Sequence, residues 1–303
     1  MIEKSLSRLK KLDELFISKG YKPLVLFSGG KDSLVVLDLC HQYFGSDMYV
    51  AYIHIPGNTH ETCDYYVLCT VEKYLGSLSR FMYLYQNKPL KVRNKLMDPD
   101  FFEYAMEYGI PTFRNARWCM RIFKIEVLKK LPRNFIFISG EKSSDSTFRF
   151  KFMTKHTREG LVLPTIANAD YHVNINLKLI WDWSKDVVWK YIRERELKLN
   201  PLYGTIGHSG NCMLCPCYLT SVDRILRYLH RLELYDKRWY DKILNFFREY
   251  MRKHRELTRC SVKCSKCPYM KDKNKYVFAK RIGVVLELLN GNNCILNYLK
   301  FSK

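Results

Sequence analysis

The sequence has 303 residues, of which 47% are hydrophobic, so it is long enough to bury a substantial core in one large domain or two smaller ones. Its formal net charge of +21 favours a polyanionic partner, nucleic acid above all. No apolar run is long enough to cross a bilayer, and eleven cysteines occur without a secretory signal. We therefore expect a cytoplasmic protein without membrane contact, whose cysteines bind metal or take part in catalysis rather than form disulfides.

Strands and helices are predicted to alternate over the first two thirds of the chain, after an amphipathic helix in residues 1–16. Strand patterns occupy residues 22–27, 48–55, 80–86, 135–140 and 177–183. Helical patterns occupy residues 31–43, 60–75, 118–131 and 184–196. This alternation predicts an α/β fold, a mostly parallel sheet with helices on both faces. Residues 219–259 are almost continuously helical in pattern, so we predict one domain over 1–218 and a basic, helical, metal-binding domain over 219–303.

The segment SGGKDS lies between the first predicted strand and the helix that follows it. It consists of Ser28, Gly29, Gly30, Lys31, Asp32 and Ser33. A glycine-rich turn there exposes backbone N–H groups at the positive end of a helix dipole, where they bind phosphate. The serine hydroxyls add donors and the lysine adds a positive charge. Neither a Walker loop nor a G-x-G-x-x-G motif is present. The alternative is an ordinary tight turn, which we consider less favoured for this hexapeptide.

These residues resemble the pyrophosphate-binding loop (PP-loop) of the ATP pyrophosphatase superfamily. Further segments are similar to the phosphoadenylylsulfate (PAPS) reductase family within it. PGNTHET (56–62) is similar to its TGxxxPET segment, and RWCMRIFKIEVLKKL (117–131) to its Arg-x-Cys segment. GEKSSDSTFR (140–149) resembles its G-x-R-x-x-E-S-x-x-R block, in which Ser146 and Arg149 match, while Lys142 and Asp145 replace arginine and glutamate. Residues 181–203 and the following GNCMLCPC complete a resemblance that covers about residues 20–218.

The intact loop distinguishes the chain within this resemblance. The reductases themselves usually lack an intact SGGKDS, whereas the adenylating sulfurtransferases keep it. The chain also has no Glu-Cys-Gly-like tail at its end. The resemblance therefore implies ATP and Mg²⁺ as ligands, with Lys31, Asp32 and Arg149 as catalytic residues. It implies that Lys142, Ser146 and Arg149 join the loop in binding the nucleotide.

Cys119, Cys212 and Cys215 lie where the iron–sulfur reductases of the family carry cluster ligands. Thiolates hold such clusters, and a proline often follows a ligand, as Pro216 does here. The fourth ligand is Cys217, or it is missing and leaves one iron open to sulfide. The alternative is a zinc site that joins Cys212-x-x-Cys215 to Cys264-x-x-Cys267. Because the intervening span of 48 residues is long, we favour a [4Fe-4S] cluster.

A second cysteine set lies in the basic C-terminal region. Cys260, Cys264 and Cys267 fall within eight residues, which packing alone does not explain, so we predict a second cluster or a Zn²⁺ site with Cys217 or Cys294 as a further ligand. Cys40, Cys63 and Cys69 lie in helical patterns, which is typical of small buried apolar residues.

Charge is concentrated in two stretches of the chain. Residues 114–158 hold twelve Lys/Arg and three Asp/Glu, and residues 260–303 hold nine and two. A nucleotide accounts for part of the first excess, but the second favours the phosphates of a longer polymer.

The leading hypothesis is ATP-dependent sulfur transfer to tRNA or DNA, with sulfide or a sulfur donor protein as the source. The alternatives are a sulfate-assimilation enzyme such as a PAPS or adenylylsulfate reductase, and a non-catalytic metalloprotein that binds nucleic acid.

Overall fold

The computed structural model describes residues 1–92, 95–111, 118–157, 159–163, 174–253 and 273–290. In this part of the chain, six strands form one sheet in the order β3-β2-β1-β6-β8-β7, and a short hairpin, β4-β5, stands apart. The strands are β1 Lys22–Leu26, β2 Tyr49–Ile53, β3 Phe81–Leu84, β4 Leu90–Val92, β5 Lys95–Met97, β6 Phe135–Ser139, β7 Leu161–Val162 and β8 Asn176–Lys178. Within the six-stranded sheet of the described residues, strands β3, β2, β1, β6 and β8 are parallel and β7 runs antiparallel to β8.

Both faces of the sheet are buried, as the predicted α/β fold requires. Side chains alternate along each strand, so that Val25 belongs to a large core shared with helices α2 and α8, whereas Leu24 and Phe137 belong to a smaller cluster beside α6. The helices are α1 Ile2–Leu15, α2 Lys31–Phe44, α3 Glu61–Leu75, α4 Phe101–Tyr108, α5 Trp118–Met120, α6 Glu126–Leu128, α7 Thr147–His156, α8 Lys185–Glu194, α9 Leu202–Thr205, α10 Val222–Tyr235, α11 Lys237–Lys253 and α12 Lys273–Asn290. The α/β prediction is therefore confirmed.

Helices α10, α11 and α12 form the helical C-terminal region. Helix α10 contacts both α11 and α12, and Tyr250 and Val285 are buried in the same core as Leu9 of α1. The large core is thus continuous across residue 218, and the proposed boundary at that point stays a prediction. In the described ranges, no helix is both long and apolar enough to cross a membrane.

Two predicted elements differ from those found. The strand pattern of residues 177–183 continues as a strand only through Lys178, after which the chain turns with hydrogen bonds from Trp181 N to Lys178 O (3.1 Å) and from Trp183 N to Ile180 O (3.0 Å). The helical stretch 219–259 is interrupted at Asp236, which ends α10 and precedes α11. Its carboxylate accepts a hydrogen bond from Trp239 N (3.0 Å), so it caps the second helix locally.

Candidate functional site

The SGGKDS loop follows β1 at the carboxyl edge of the parallel sheet and leads directly into α2. Ser33 fixes its shape from inside: its hydroxyl accepts a hydrogen bond from Ser28 N (3.2 Å) and donates one to Gly30 O (2.9 Å). Gly30 is the N-cap of α2 and supplies no capping side chain. The first N–H groups of α2 therefore remain oriented toward the loop, in the arrangement that suits an anion.

Two glycines allow the backbones around the loop to approach closely. Gly29 has φ +70°, and a Cβ there would lie 3.0 Å from the Cys63 sulfur and 3.1 Å from a methyl group of Val67. Gly140, after β6, lies against the loop from the other side, where a Cβ would come within 2.8 Å of the Asp32 backbone. A larger residue at either position would displace the backbone that forms the site.

Tyr203 reaches the loop from the segment that contains α9. Its hydroxyl oxygen accepts a hydrogen bond from Lys31 N (3.0 Å), so it occupies one of the loop's N–H donors. Burial raises the pKa of the Tyr203 hydroxyl to about 12, and the group is therefore a neutral phenol with a proton of its own to donate. Sequence reasoning assigned this tyrosine no role, although it lies within a segment that carries the family resemblance.

A chain of ion pairs crosses the carboxyl edge beside the loop. Basic and acidic side chains alternate along it in the order Lys31, Asp32, Lys142, Asp145, Arg149, Glu141 and Lys178. The two ends lie on different elements, since Lys31 begins α2 and Lys178 ends β8. Four cations and three anions thus stand in contact, and the excess of positive charge favours a phosphate ligand.

Lys142 is the centre of this chain. Its side chain is 1% exposed, and its ammonium lies 2.6 Å from Asp32 Oδ1 and 3.0 Å from Asp145 Oδ1. Burial alone would raise the pKa of Asp145, but the Lys142 charge, the hydrogen bonds from Lys142 and the charge of Arg149 hold it below its usual value. Lys31 Nζ lies 2.6 Å from the other oxygen of Asp32, so both oxygens of that carboxylate are held by lysines.

The structure thus brings together most of the nucleotide-site residues that the sequence predicted. Ser28 and Ser33 shape the loop, while Lys142 and Arg149 reach it through the ion-pair chain. Ser146 is connected to the ion-pair chain through Arg149: its hydroxyl accepts a hydrogen bond from Arg149 N (3.2 Å) at the start of α7. Besides Tyr203, sequence reasoning missed Lys178, which no motif marks, and Glu141, which falls at an unspecified position (x) of the GEKSSDSTFR block.

The thiols of Cys212, Cys215 and Cys217 interact in the turn that precedes α10. Hydrogen bonding to the Cys212 sulfur raises the pKa of Cys215 to about 12, against an opposing hydrogen bond with Cys217. Asn58, which is fully buried, donates from its Nδ2 to the Cys212 sulfur (3.2 Å) and accepts from Leu214 N (2.7 Å). The shape of this turn therefore depends on the PGNTHET segment, to which Asn58 belongs.

These sulfurs form a soft donor set that fits thiolate ligation of an iron–sulfur cluster. A single zinc ion would hold its thiolates about 3.8 Å apart, since Zn–S bonds are about 2.3 Å and tetrahedral. Among the described residues, no three cysteine sulfurs lie within 4.8 Å of one another. The zinc site that would join Cys212 and Cys215 to Cys264 and Cys267 involves residues outside the described ranges, so it stays an alternative prediction. Cys119 lies in α5 and packs, like Cys212, against the large core. Cys260, Cys264 and Cys267 fall outside the described residues, so that second metal site stays a prediction.

The remaining cysteines are placed largely as expected. Cys40 and Cys63 are buried, whereas Cys69 is exposed. His208, also without an assigned role, is 8% exposed, and burial lowers its pKa to about 3. Its Nδ1 accepts from Gly210 N (3.0 Å), and its ring stacks on Tyr218 at 4.5 Å, so it is a neutral packing residue of this turn.

Helix α11 and Asp236, which precedes it, contact the PGNTHET segment through three polar interactions, which we call the clamp. Lys242 Nζ donates to Gly57 O (2.6 Å), Asp236 lies 2.6 Å from His60 Nε2, and Arg238 pairs with Glu61. His60, Glu61 and Asp236 offer three potential ligand atoms within 4.8 Å of one another, but the hydrogen bonds among them and to Arg238 already use these atoms. The contacts identify a structural clamp between the helical region and the loop.

The family model of the phosphoadenosine phosphosulfate reductase domain matches residues 22–218. The chain belongs to this family. Membership confirms the PAPS reductase-like branch of the PP-loop superfamily that the motifs indicated, and with it an enzyme family that binds a nucleotide. The matched range includes the SGGKDS loop, the ion-pair chain and Cys212, Cys215 and Cys217.

Two proteins of Methanocaldococcus jannaschii, each named an uncharacterized protein, are similar to the chain. One is 30% identical over 234 residues, which cover 76% of this chain and 42% of that protein. The other is 28% identical over 247 residues, which cover 80% and 53%. The chain thus spans about half the length of these relatives. A crystal structure of a PAPS reductase from Candida auris, in a phosphate complex, aligns with a TM-score of 0.42 at 15% identity over 66% of this chain and 83% of that one.

Proposed function

We propose that the protein is an ATP-dependent, adenylating sulfurtransferase that acts on nucleic acid. The observation that carries this proposal is the intact SGGKDS loop, whose Asp32 is held by Lys31 (2.6 Å) and Lys142 (2.6 Å) at the mouth of α2. A substrate that is already adenylylated brings no pyrophosphate for such a loop to grip, whereas ATP does. The net charge of +21 supports a polyanionic acceptor.

The proposed reaction has two steps. In the first, an oxygen of the acceptor attacks the α-phosphorus of ATP, an O–P bond forms, and the bond to the β-phosphate breaks to release pyrophosphate. In the second, hydrosulfide attacks the activated carbon, a C–S bond forms, and the C–O bond breaks to release AMP and a proton. The net result is exchange of oxygen for sulfur at the cost of one ATP.

The residues have distinct tasks in the first step. The free N–H groups of the loop and Lys31 bind the pyrophosphate as its charge develops. Carboxylate oxygens are ligands that Mg²⁺ prefers, so Asp32 is the candidate ligand once Lys31 moves to the phosphates. Lys31 is the less buried of the two lysines on Asp32, since its side chain is 15% exposed and that of Lys142 only 1%. Arg149 is the candidate contact for the α-phosphate.

Cys119, Cys212 and Cys215 would hold the proposed [4Fe-4S] cluster. With these three ligands one iron would be open to bind sulfide, whereas Cys217 as a fourth ligand would close that position. The Asn58 N–H donated to the Cys212 sulfur would stabilise the thiolate form of that ligand.

Reduction of PAPS or adenylylsulfate is the second candidate, because the matching family model is named for this activity. A reductase would release sulfite from the adenylylated sulfate and would need neither ATP nor nucleic acid. The two candidates therefore differ in their substrates as well as in their products.

The test measures pyrophosphate release from ATP, with and without RNA or DNA, for the wild type and for Asp32→Asn. We expect release that requires nucleic acid and falls at least a hundredfold in the variant, because the loop loses its candidate Mg²⁺ ligand. Asp47→Asn is the matched control, since Asp47 is 82% exposed in its ion pair with Arg80. Sulfite formation from PAPS without any pyrophosphate release from ATP would reject the proposal in favour of the reductase.

A further inference from the structure

An exposed aromatic surface lies at the free edge of the sheet. In the described residues, strand β3 lies at one edge of the sheet and β7 at the other. Tyr83 of β3 and Tyr85, directly after it, are on the same side by strand alternation, with 41% and 47% of their surfaces exposed. Their ring centroids are 6.3 Å apart, and His54 stacks on Tyr83 at 5.7 Å with an angle of 27°. Since Asp64 contacts the His54 Nδ1 at 3.1 Å, the histidine is fixed beneath the tyrosine.

A cavity of about 410 Å³ opens beside Tyr85. Its lining consists of Pro56, Tyr85, Gln86, Asn87, Asp98, Pro99 and Asp100. The cavity is wide open to solvent, so it is a surface depression and not an enclosed pocket. The cavity borders the PGNTHET segment, because Pro56 is the first residue of that segment and its carbonyl accepts a hydrogen bond from Phe101 N (2.9 Å). Both β2 and β3 end here, at the same edge of the sheet as the SGGKDS loop.

The polar groups of the cavity match a base better than a phosphate. Two carboxylates, Asp98 and Asp100, would repel a phosphate but can accept hydrogen bonds from exocyclic amino groups. Asp100 already caps α4 through Phe102 N (2.8 Å), whereas no described residue pairs with the Asp98 carboxylate. Asn87 presents an amide that can both donate and accept, and Tyr85 offers a stacking face.

Positive charge lies outside the cavity, at its mouth. Lys130 is exposed and reaches Gln86 Oε1 (3.2 Å) and Asn87 Oδ1 (3.5 Å). Lys88, also exposed, follows directly in the chain. A strand of nucleic acid could therefore keep its phosphates near these lysines while one base enters and another stacks on the exposed tyrosine.

We propose that Tyr83, Tyr85 and this cavity form the docking site for an unstacked base of the acceptor, so that the protein takes single-stranded or locally unpaired nucleic acid. The inference rests on the proposed function, since it names how that acceptor is held. Stacking on tyrosine is sequence-tolerant, whereas Asp98 and Asn87 read the edge of the base inside the cavity. The target base thereby lies beside the PGNTHET segment, at the same edge of the sheet as the SGGKDS loop.

The experiment measures binding of a labelled single-stranded RNA of about 12 nucleotides, and of the same RNA as a duplex, at low salt. Tyr85→Ala should weaken single-strand binding about tenfold, because a base–aromatic stack is lost, while Tyr85→Phe should retain it. Tyr235→Ala is the matched control, since Tyr235 is 58% exposed at the end of α10, away from β3. The wild type should bind the single strand more tightly than the duplex.

Several outcomes overturn the inference. These are absence of single-strand binding by the wild type, equal losses in Tyr85→Ala and Tyr235→Ala, and an equal preference for duplex. ATP affinity is measured in parallel, and a tenfold loss in Tyr85→Ala would assign the cavity to the base of ATP instead. Tyr85-dependent RNA binding without pyrophosphate release would leave the docking site standing and reject the proposed chemistry, so the two failures are distinguishable.

Discussion

Lys142 shows how one residue can control the whole nucleotide site. A lysine side chain that is 1% exposed is tolerable only because two carboxylates contact its ammonium group, and the lysine in turn helps to hold the pKa of Asp145 below its usual value. The family pattern has arginine at this position. A lysine is a compact charge that can lie between Asp32 and Asp145, whereas a planar guanidinium would engage them side by side.

Replacing Lys142 by Met should lower the free energy of unfolding by about 3 kcal/mol, because two neighbouring carboxylates lose their shared buried cation. The pKa of Asp145 lies below its ordinary value in the folded protein, so the stabilisation is present above the unfolded pKa of about 4 and is lost as the pH falls through the lower folded value. Urea unfolding at neutral and acid pH tests this: the difference between wild type and Lys142→Met should shrink below about pH 4.

Lys129→Met is the matched control for this measurement. Lys129 is 27% exposed and pairs with Glu126 at 3.3 Å on a helical surface, where an ion pair contributes less than about 1 kcal/mol. If Lys129→Met lowered the free energy of unfolding as much as Lys142→Met, the loss would not be specific to the buried ion-pair chain, and the prediction would be wrong. Lys142→Arg, which keeps the charge, should retain ATP binding.

At the scale of elements, α11 determines the position of the PGNTHET segment. Lys242 lies between the rings of Trp239 (4.5 Å) and Phe102 (4.9 Å) and donates to Gly57 O at 2.6 Å. Burial lowers the pKa of Lys242, and the interaction is therefore partly desolvated. The same segment contributes Asn58 to the cysteine turn and Pro56 to the aromatic cavity. A helix outside the family match thus supports residues of both sites.

Removing the clamp should loosen this segment without unfolding the protein. Lys242→Met keeps the apolar stem against Trp239 and Phe102 but loses the bond to Gly57 O, which costs about 1 kcal/mol. We expect amide hydrogen exchange in residues 57–61 to become several-fold faster. Lys237→Met on the same helix, where Lys237 pairs with Asp241 at 3.1 Å on the surface, should leave this exchange unchanged. Uniform acceleration in both variants would contradict the clamp.

The sequence predicted the elements whose signals are local. The apolar runs of β1 and β6 and the glycine-rich turn before α2 were sufficient for the parallel sheet and for the loop at its edge. The β4-β5 hairpin, in a lysine-rich stretch with little apolar alternation, gave no such signal. Tyr203 and Lys142 find their partners 172 and 110 residues away, and only the tertiary fold brings those pairs together. The long-range contacts of the site therefore could not be inferred from spacing.

At the scale of the whole molecule, the positive charge is more than the nucleotide site uses. The ion-pair chain contains four basic and three acidic side chains, so it accounts for a net charge of only +1, whereas the net charge of the protein is +21. Residues 260–303 alone carry nine basic and two acidic side chains. Part of this region is structural, because Ile282 and Val285 of α12 are buried in the large core. Deleting residues 260–303 would therefore disturb the packing of the core as well as remove positive charge. Substituting lysines in this region changes the charge alone and tests it more directly.

Changing Lys263, Lys266, Lys271 and Lys273 to Gln should weaken nucleic-acid binding and flatten its dependence on salt. Each lost phosphate contact lowers the slope of log affinity against log salt by about 0.7 for a single strand. The control changes Lys10, Lys19, Lys73 and Lys185, which are exposed and lie outside this region. Both variants remove four charges, so a purely global effect of net charge would lower both slopes equally and would contradict a C-terminal contact. A smaller slope only in the first variant, with ATP affinity unchanged, would separate the polymer's phosphates from those of the nucleotide.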